Sequence, residues 1–407
     1  MNLNEIKQFL PDAIDFLKQM IRIPSLSGQE EELIQLMYEK FEPLTDEIEL
    51  VLLPENLPDD PEYSFPIPGI LYEGRHNLRA VIKGINGGKS ILFNTHTDVV
   101  PASANQTKAF EPLVENKLVY GRGACDAKGQ IATLYLLAHF LKRKQIRLKG
   151  DIVFLLVVEE ENGGNGSLAT IRKGEKADAA IVMEPSSLKI LPSVRGAIWF
   201  RIICTGKPGH SGSAGKRISA LDLAIEARKI LLAYHQKLLA ASKGIPLFDD
   251  FENPMPITFG KLQAGDWAAT IPNQAILEGV LGFLPNKNRF EIVDEINTEI
   301  NQFGSDELKS NAHIEFMYKH DSHVLSTDHL LIQTLFDACK KSEVTPQITA
   351  MAASCDSWLF QNQLKIPTVV FGPGDLALAH SNHENIKIND IELAAKILLN
   401  FVVRWCI

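Results

Sequence analysis

Three histidines and a set of carboxylates are the residues of this sequence whose types and spacing fit chemistry. His96 and Asp98 lie in ILFNTHTDVVP (91–101) and Asp126 lies in VYGRGACDAKG (119–129). Glu159, Glu160 and Glu161 run together before NGGNGS, and Glu184 follows AAIVM (179–183). His210 sits between glycines in GKPGHSG, and His380 lies in LALAHSNHE. Most of these residues stand just past short apolar runs that read as buried strands. In open α/β sheets, ligands bind beyond the C-terminal strand ends. Carboxylates gathered at one sheet edge repel, each ionised pair costing about 4 kcal/mol at ~4 Å and an effective dielectric of about 20. A shared divalent cation removes that repulsion. Two imidazoles and three carboxylates, one of them bridging, can serve two ions about 3.5 Å apart, a dinuclear hydrolase arrangement. Nitrogen and oxygen donors without thiolate favour Zn²⁺, with Co²⁺ or Mn²⁺ as alternatives. At a period of two, Asp98 points the same way as His96 and is placed to fix the tautomer of a metal-bound imidazole.

Taken singly, each residue has an ordinary reading. Asp126 fits a turn cap, the glutamate run a solvated cluster, and Glu184 an acid at a helix N-terminus. His380, His383 and His210 fit loop histidines. The glutamates, however, abut DIVFLLVV (151–158), seven of whose eight residues are apolar, which is no casual surface position. NGGNGS matches neither GxGxxG nor a P-loop, which speaks against a nucleotide enzyme.

The elements that must position these residues can be read along the chain. A helical pattern spans residues 4–20, split at Pro11. Ser27 and Glu30 read as a capping box opening a second helix. A strand at 47–53 precedes the proline-rich loop PENLPDDPEYSFPIPG. Leu78–Ile82 and Ile91–Phe93 read as paired strands joined by a hairpin at Asn86-Gly87-Gly88. Glycines crowd Asp126 in a tight turn before a helix from Gln130 to Lys144. Strands at 151–158 and 179–183 read as buried on both faces. From about residue 194 the order becomes β-α-β-β-α-β, the split unit of a ferredoxin-like domain. A helix at 328–341, the strand PTVVFGPG and a helix at 391–405 then return to α/β. The expected organisation is an α/β catalytic domain from residues 1–193 and 321–407, with 194–320 inserted.

Composition narrows the partners. The chain has 407 residues, 45% hydrophobic and 22% charged, with a net charge of −9, which argues against nucleic acid or an anionic membrane as a main partner. Its length favours two domains. No apolar run reaches the ~20 residues of a spanning helix, and the N-terminus does not read as a signal peptide. The five scattered cysteines contain no CxxC and suit free thiols in a reducing cytoplasm.

With these motifs in place, the sequence resembles the co-catalytic zinc amidohydrolases and peptidases of the M20 type. That family includes acetylornithine deacetylase, succinyl-diaminopimelate desuccinylase, aminoacylases and carboxypeptidase G. GRHNLRAVIKG, THTDVVP, GRGACDAKG, EEENGGNGS, MEPS, GKPGHSG and AHSNHE carry the resemblance across essentially the whole chain. It implies a zinc-exopeptidase-like catalytic domain with an inserted ferredoxin-like dimerisation (lid) domain. It implies two divalent ions per chain: His96 and Glu184 on one, Glu161 and His380 on the other, Asp126 bridging. Asp98 would orient His96, and Glu160 would be the general base on the metal-bridging water. His210 would reach the partner subunit's site and stabilise the oxyanion, making the enzyme a homodimer through 194–320. Ala269 stands where many relatives carry Asn, and EGVLGFLPN and CDSW lack arginines found in relatives. GDWAATIP resembles an acetylornithine-deacetylase-like subgroup that includes a deformylase of an aminopyrimidine. The expected reaction is hydrolysis of the amide of a small N-acyl amino acid. Alternatives are a dipeptidase or carboxypeptidase acting on short peptides, that deformylase, and a noncatalytic metal-dependent scaffold dimer, against which the intact base and ligand set argue.

Overall fold

Six apolar residues without a polar break, Ile152–Val157, form an interior strand of the larger sheet. In the computed structural model, which describes residues 3–64 and 67–407, all six are buried. The strand pairs parallel with Ile91–His96 and antiparallel with His76–Ile82. The sheet continues outward on one side to Glu47–Leu52 and on the other through Ala180–Val182 and Thr368–Val370 to Ile190–Val194. Ile91–His96, Ile152–Val157, Ala180–Val182 and Thr368–Val370 are mutually parallel. Their C-terminal ends therefore open at one edge.

Because Ile152–Val157 lies between them, His76–Ile82 and Ile91–His96 do not pair, and the expected hairpin is absent. Residues around Asn86 instead bond the segment before Ile152–Val157, with Ile85 N donating to Leu148 O (2.8 Å) and Gly84 N to Asp151 Oδ1 (2.8 Å). A strand with no polar side chain gains more from burial on both faces than either neighbour gains from a local turn.

The helices form where the apolar spacing places them. A 3₁₀ helix, Leu3–Phe9, leads into Leu10–Arg22, and Pro11 occupies the first turn, where its missing N–H costs nothing. Lys128–Arg143 packs against Leu10–Arg22 and Ile388–Trp405. The helix Glu31–Phe41 lacks the expected capping box. Ser27 Oγ donates to Asp98 Oδ2 instead (2.7 Å), and Glu30 accepts from Gly28 N (2.9 Å) and Arg75 (2.7 Å). Within the proline-rich stretch, Leu57–Asp59 forms a short 3₁₀ helix; Phe65 and Pro66 of that stretch lie outside the described residues.

The chain divides into two compact units. The first comprises Met1–Ser193, Val324–Met351 and Cys355–Ile407, and the second Val194–His323 with Ala352–Ser354. In the second, four antiparallel strands run in the order Ile257–Ala264, Gln274–Phe283, Gly196–Thr205, Ala312–His320. The helices Ala220–Ala241 and Arg289–Phe303 pack on them. That chain order and strand order are those of the ferredoxin-like split unit. Asn288 and Glu291 form a capping box at the second of these helices.

Phe154 anchors the first unit's core, stacked on Phe93 at 6.0 Å and beside Phe41 at 5.7 Å. Phe154→Ala is expected to lower stability by about 3–5 kcal/mol through lost burial and a residual cavity. Urea unfolding checks this; a loss below about 1 kcal/mol would mean that the site collapses freely. All five cysteines are buried and free. No helix among the described residues is long and apolar enough to cross a membrane.

Candidate metal centre

Strand Ile91–His96 delivers His96 at its C-terminal end, 1% exposed. The imidazole is held from behind: Nδ1 lies 2.9 Å from the Asp98 carbonyl oxygen and 3.5 Å from Asp98 Oδ1. Nε2 faces the site, 2.9 Å from Asp126 Oδ1 and 3.9 Å from Glu184 Oε2. Asp126 comes from a glycine-rich turn ahead of helix Lys128–Arg143. Gly123 there has φ +83°, and a Cβ would stand 2.8 Å from Val99 Cγ1 and 2.9 Å from Lys128 Cδ, so only glycine fits.

Two acids follow strand Ile152–Val157. Glu161 Oε1 lies 3.0 Å from His380 Nε2, and the same nitrogen is 3.4 Å from Asp126 Oδ2. One Asp126 oxygen therefore faces each histidine. His96, Asp126 and Glu161 offer ligand atoms all within 4.8 Å of one another. Glu184, delivered by Ala180–Val182, is buried beside them.

The register of the three glutamates is set by what holds them. Glu159, at φ +56°, turns away from the cluster. Its carboxylate takes Arg75, the Tyr72 hydroxyl (2.8 Å) and Asn165 Nδ2 (3.0 Å). Asp98 pins the next two residues, accepting from Glu160 N at Oδ1 (3.0 Å) and Glu161 N at Oδ2 (3.1 Å). Among the described residues, the Glu160 carboxylate has no hydrogen bond or ion pair of its own, although it is only 9% exposed. Gly164, at φ +76°, closes the turn where a Cβ would stand 2.3 Å from Asp356 Oδ1.

Burial pushes Glu160, Glu184 and Glu161 above the usual carboxylate range, with neighbouring acids adding to it. Burial likewise raises Asp356 to about 7. Burial opposes charge on His96, but Asp126 and Asp98 outweigh it and hold the imidazole well above its ordinary value. Asp126 and Glu161 raise His380 to about 10. Burial would raise Asp126, yet His380 and His96 hold it below the usual range. No lysine or arginine among the described residues pairs with Asp126, Glu160, Glu161 or Glu184. Such a set of imidazole nitrogen and carboxylate oxygen donors, largely buried except for the half-exposed His380 and with no lysine or arginine as fixed counter-ion, fits divalent metal.

His210 belongs to the second unit, on an exposed loop where Ser211 N donates to Ala269 O (3.0 Å). Its Nδ1 accepts from Gly212 N (3.1 Å), so the neutral ring carries its proton on Nε2.

Sequence reasoning missed the residues behind the ligands. Asp356 lies in CDSW and accepts from Ser167 Oγ (2.6 Å). Arg75 joins Glu159 to Glu30. Glu384, four residues after His380, accepts from the Asp126 backbone N–H (3.1 Å). Only Glu384 carried a local signal, an acid closing the histidine motif.

Among curated proteins, the chain is similar to the N-formyl-4-amino-5-aminomethyl-2-methylpyrimidine deformylase of Bacillus subtilis. It is 26% identical over 375 residues, covering 83% of this chain and 84% of that protein. It is also similar to the LysW-lysine/LysW-ornithine hydrolase of Sulfurisphaera tokodaii, 25% identical over 322 residues and covering 79% of this chain and 83% of that one. Among solved structures, an M20 family metallo-carboxypeptidase of Sulfolobus solfataricus shares the fold with a TM-score of 0.77. It is 19% identical and covers 97% of this chain and 99% of that one. The model of peptidase family M20/M25/M40 matches residues 92–404, and the chain belongs to that family.

Proposed function

We propose that this M20-family amide hydrolase removes a small acyl group from the nitrogen of a compact amine, in the first instance an N-acyl amino acid. The observation that carries the reading is the convergence of His96, Asp126, Glu161, His380 and Glu184 beyond the C-terminal ends of parallel strands, with no lysine or arginine among the described residues paired with the acids. His96 and Glu184 would hold one ion, Glu161 and His380 a second, and Asp126 would bridge them. When bound, the ions polarise the acyl oxygen and make water nucleophilic at neutral pH. Zn²⁺ suits the donor set, with Co²⁺ or Mn²⁺ as substitutes.

The chain's own residues supply the rest. Asp98 orients His96 and fixes the turn that aims Glu160. The Glu160 carboxylate takes the proton from the attacking water as the O–C bond forms. It returns that proton to the amine nitrogen as the C–N bond breaks, leaving a carboxylic acid and a free amine. His210, from a second copy of the chain joined through residues 194–320, would donate from Nε2 to the developing oxyanion. Its exposure and its tautomer support that role.

A second reading is favoured by the similarity to the Bacillus deformylase across four-fifths of the chain: an N-formyl group on an aminopyrimidine. Amine release from N-acetyl, N-succinyl and N-formyl amino acids, the N-formyl aminopyrimidine and dipeptides tests both, with Zn²⁺ or Co²⁺ and with chelator. Chelator-sensitive turnover of an N-acyl amino acid is expected. Turnover of the pyrimidine alone would assign the deformylase reading, and turnover of dipeptides alone would make the chain a peptidase.

A further inference from the structure

Two of the ligands, Asp126 and His380, stand far apart in sequence and on loops rather than in strands. Something other than the parallel sheet must fix their separation. A small antiparallel sheet does part of this: Leu118–Tyr120 pairs with Asn385–Lys387, Tyr120 opposite Asn385. Arg122 leaves the first strand just before Asp126, and Glu384 enters the second just after His380.

These two residues form an ion pair, Arg122 Nη1 to Glu384 Oε2 at 2.5 Å, with both side chains at most 2% exposed. The other oxygen of Glu384 accepts from the backbone N–H groups of Cys125 (3.0 Å) and of Asp126 itself (3.1 Å). Arg122 in turn points its Nη2 at the His380 carbonyl oxygen (3.4 Å) and its Nη1 at that of Ser381 (3.5 Å). Nη2 also donates to Gln106 Oε1 (3.1 Å). One buried pair thus grips the backbone of both loops.

Burying two charges is costly, and apolar replacements of such pairs are often as stable or more so. A pair retained here, with one Glu384 oxygen and both Arg122 Nη atoms reaching the backbone of the loops that carry two metal ligands, is therefore accounted for by geometry rather than by stability. We infer that Arg122 and Glu384 are positioning residues that set the spacing between Asp126 and His380. They do so by tying the Asp126 turn to the His380 loop. The inference rests on the metal reading of the cluster.

The test is a Co²⁺ titration of the full chain, followed by visible absorption, for wild type, Glu384→Gln and Arg122→Lys, with the Tm of each stripped protein measured alongside. In Glu384→Gln, the new side-chain amide has only one oxygen to share between the guanidinium and the two backbone N–H groups, which loosens at least one grip. Residues behind metal ligands typically govern affinity by about 10–100-fold. Glu384→Gln is expected to weaken one of two Co²⁺ sites by at least about tenfold and to change the absorption bands. Arg122→Lys keeps the charge but loses the fork, so a smaller weakening of the same site is expected; it carries the test if Glu384→Gln does not fold. Affinities within about twofold of wild type with unchanged bands would overturn the proposal, even if the Tm of the stripped protein fell, because that is the signature of a merely structural pair. If wild type itself binds no Co²⁺, the metal reading fails and the positioning role falls with it.

Discussion

Glu160→Gln is expected to cut turnover by about 10²–10⁴-fold, the range that a positioned general base supplies, while leaving metal content and fold intact. The separation of these effects follows from the geometry. Glu160 sits between Glu159, whose carboxylate is consumed by Arg75, Tyr72 and Asn165, and Glu161, which faces His380 at 3.0 Å. Its own carboxylate has no partner among the described residues. Its backbone N–H is tied to Asp98 at 3.0 Å, so the side chain is aimed without being engaged. Burial raises its proton affinity, which suits a group that must take a proton and return it. The amide of glutamine has nearly the same shape but cannot accept that proton. Steady-state kcat together with metal analysis of the purified variant checks this. A kcat near wild type would remove Glu160 as the base; loss of a metal with the activity would make it a ligand instead.

Asp126→Asn is expected to reduce binding from two metal ions per chain to at most one, and to abolish activity. Asp126 is the residue that faces both histidines, Oδ1 at 2.9 Å from His96 and Oδ2 at 3.4 Å from His380. Asparagine presents one carbonyl oxygen and one N–H₂, so at least one ion loses its oxygen donor. The weakening should exceed the roughly 10–100-fold typical of residues behind the ligands. Calorimetric Zn²⁺ titration measures it directly. Two sites of wild-type affinity in Asp126→Asn would show that Asp126 does not bridge.

Three of the candidate ligands, His96, Glu161 and Glu184, follow apolar runs, and the parallel sheet brings such ends to one edge; Asp126 and His380 lie on loops. Strand-end position singles out His96, the Glu159–Glu161 run and Glu184 as candidates only when taken together; which glutamate of the run faces a metal is what the family resemblance implies. The hairpin at Asn86-Gly87-Gly88 was misread because turn signals are local, whereas the partner of both neighbouring strands, Ile152–Val157, lies far along the chain. Ser27 and Glu30 carry a capping-box spacing, yet Asp98 and Arg75 claim their side chains in the folded chain. The Arg122–Glu384 pair spans 262 residues, and nothing within either segment signals the other. Local pattern thus named the candidate groups, and long-range pairing determined what surrounds them.

The measurement that bears most directly on the central claim is metal stoichiometry taken together with amide hydrolysis on one protein sample. The chain is stripped with chelator, its metal content determined, and Zn²⁺ or Co²⁺ restored stepwise while amine release from the substrate panel is followed. The account predicts no turnover in the stripped protein and binding of two ions per chain, with hydrolysis of an N-acyl amine rising as they bind. Undiminished amide hydrolysis by protein shown to hold no metal would contradict it.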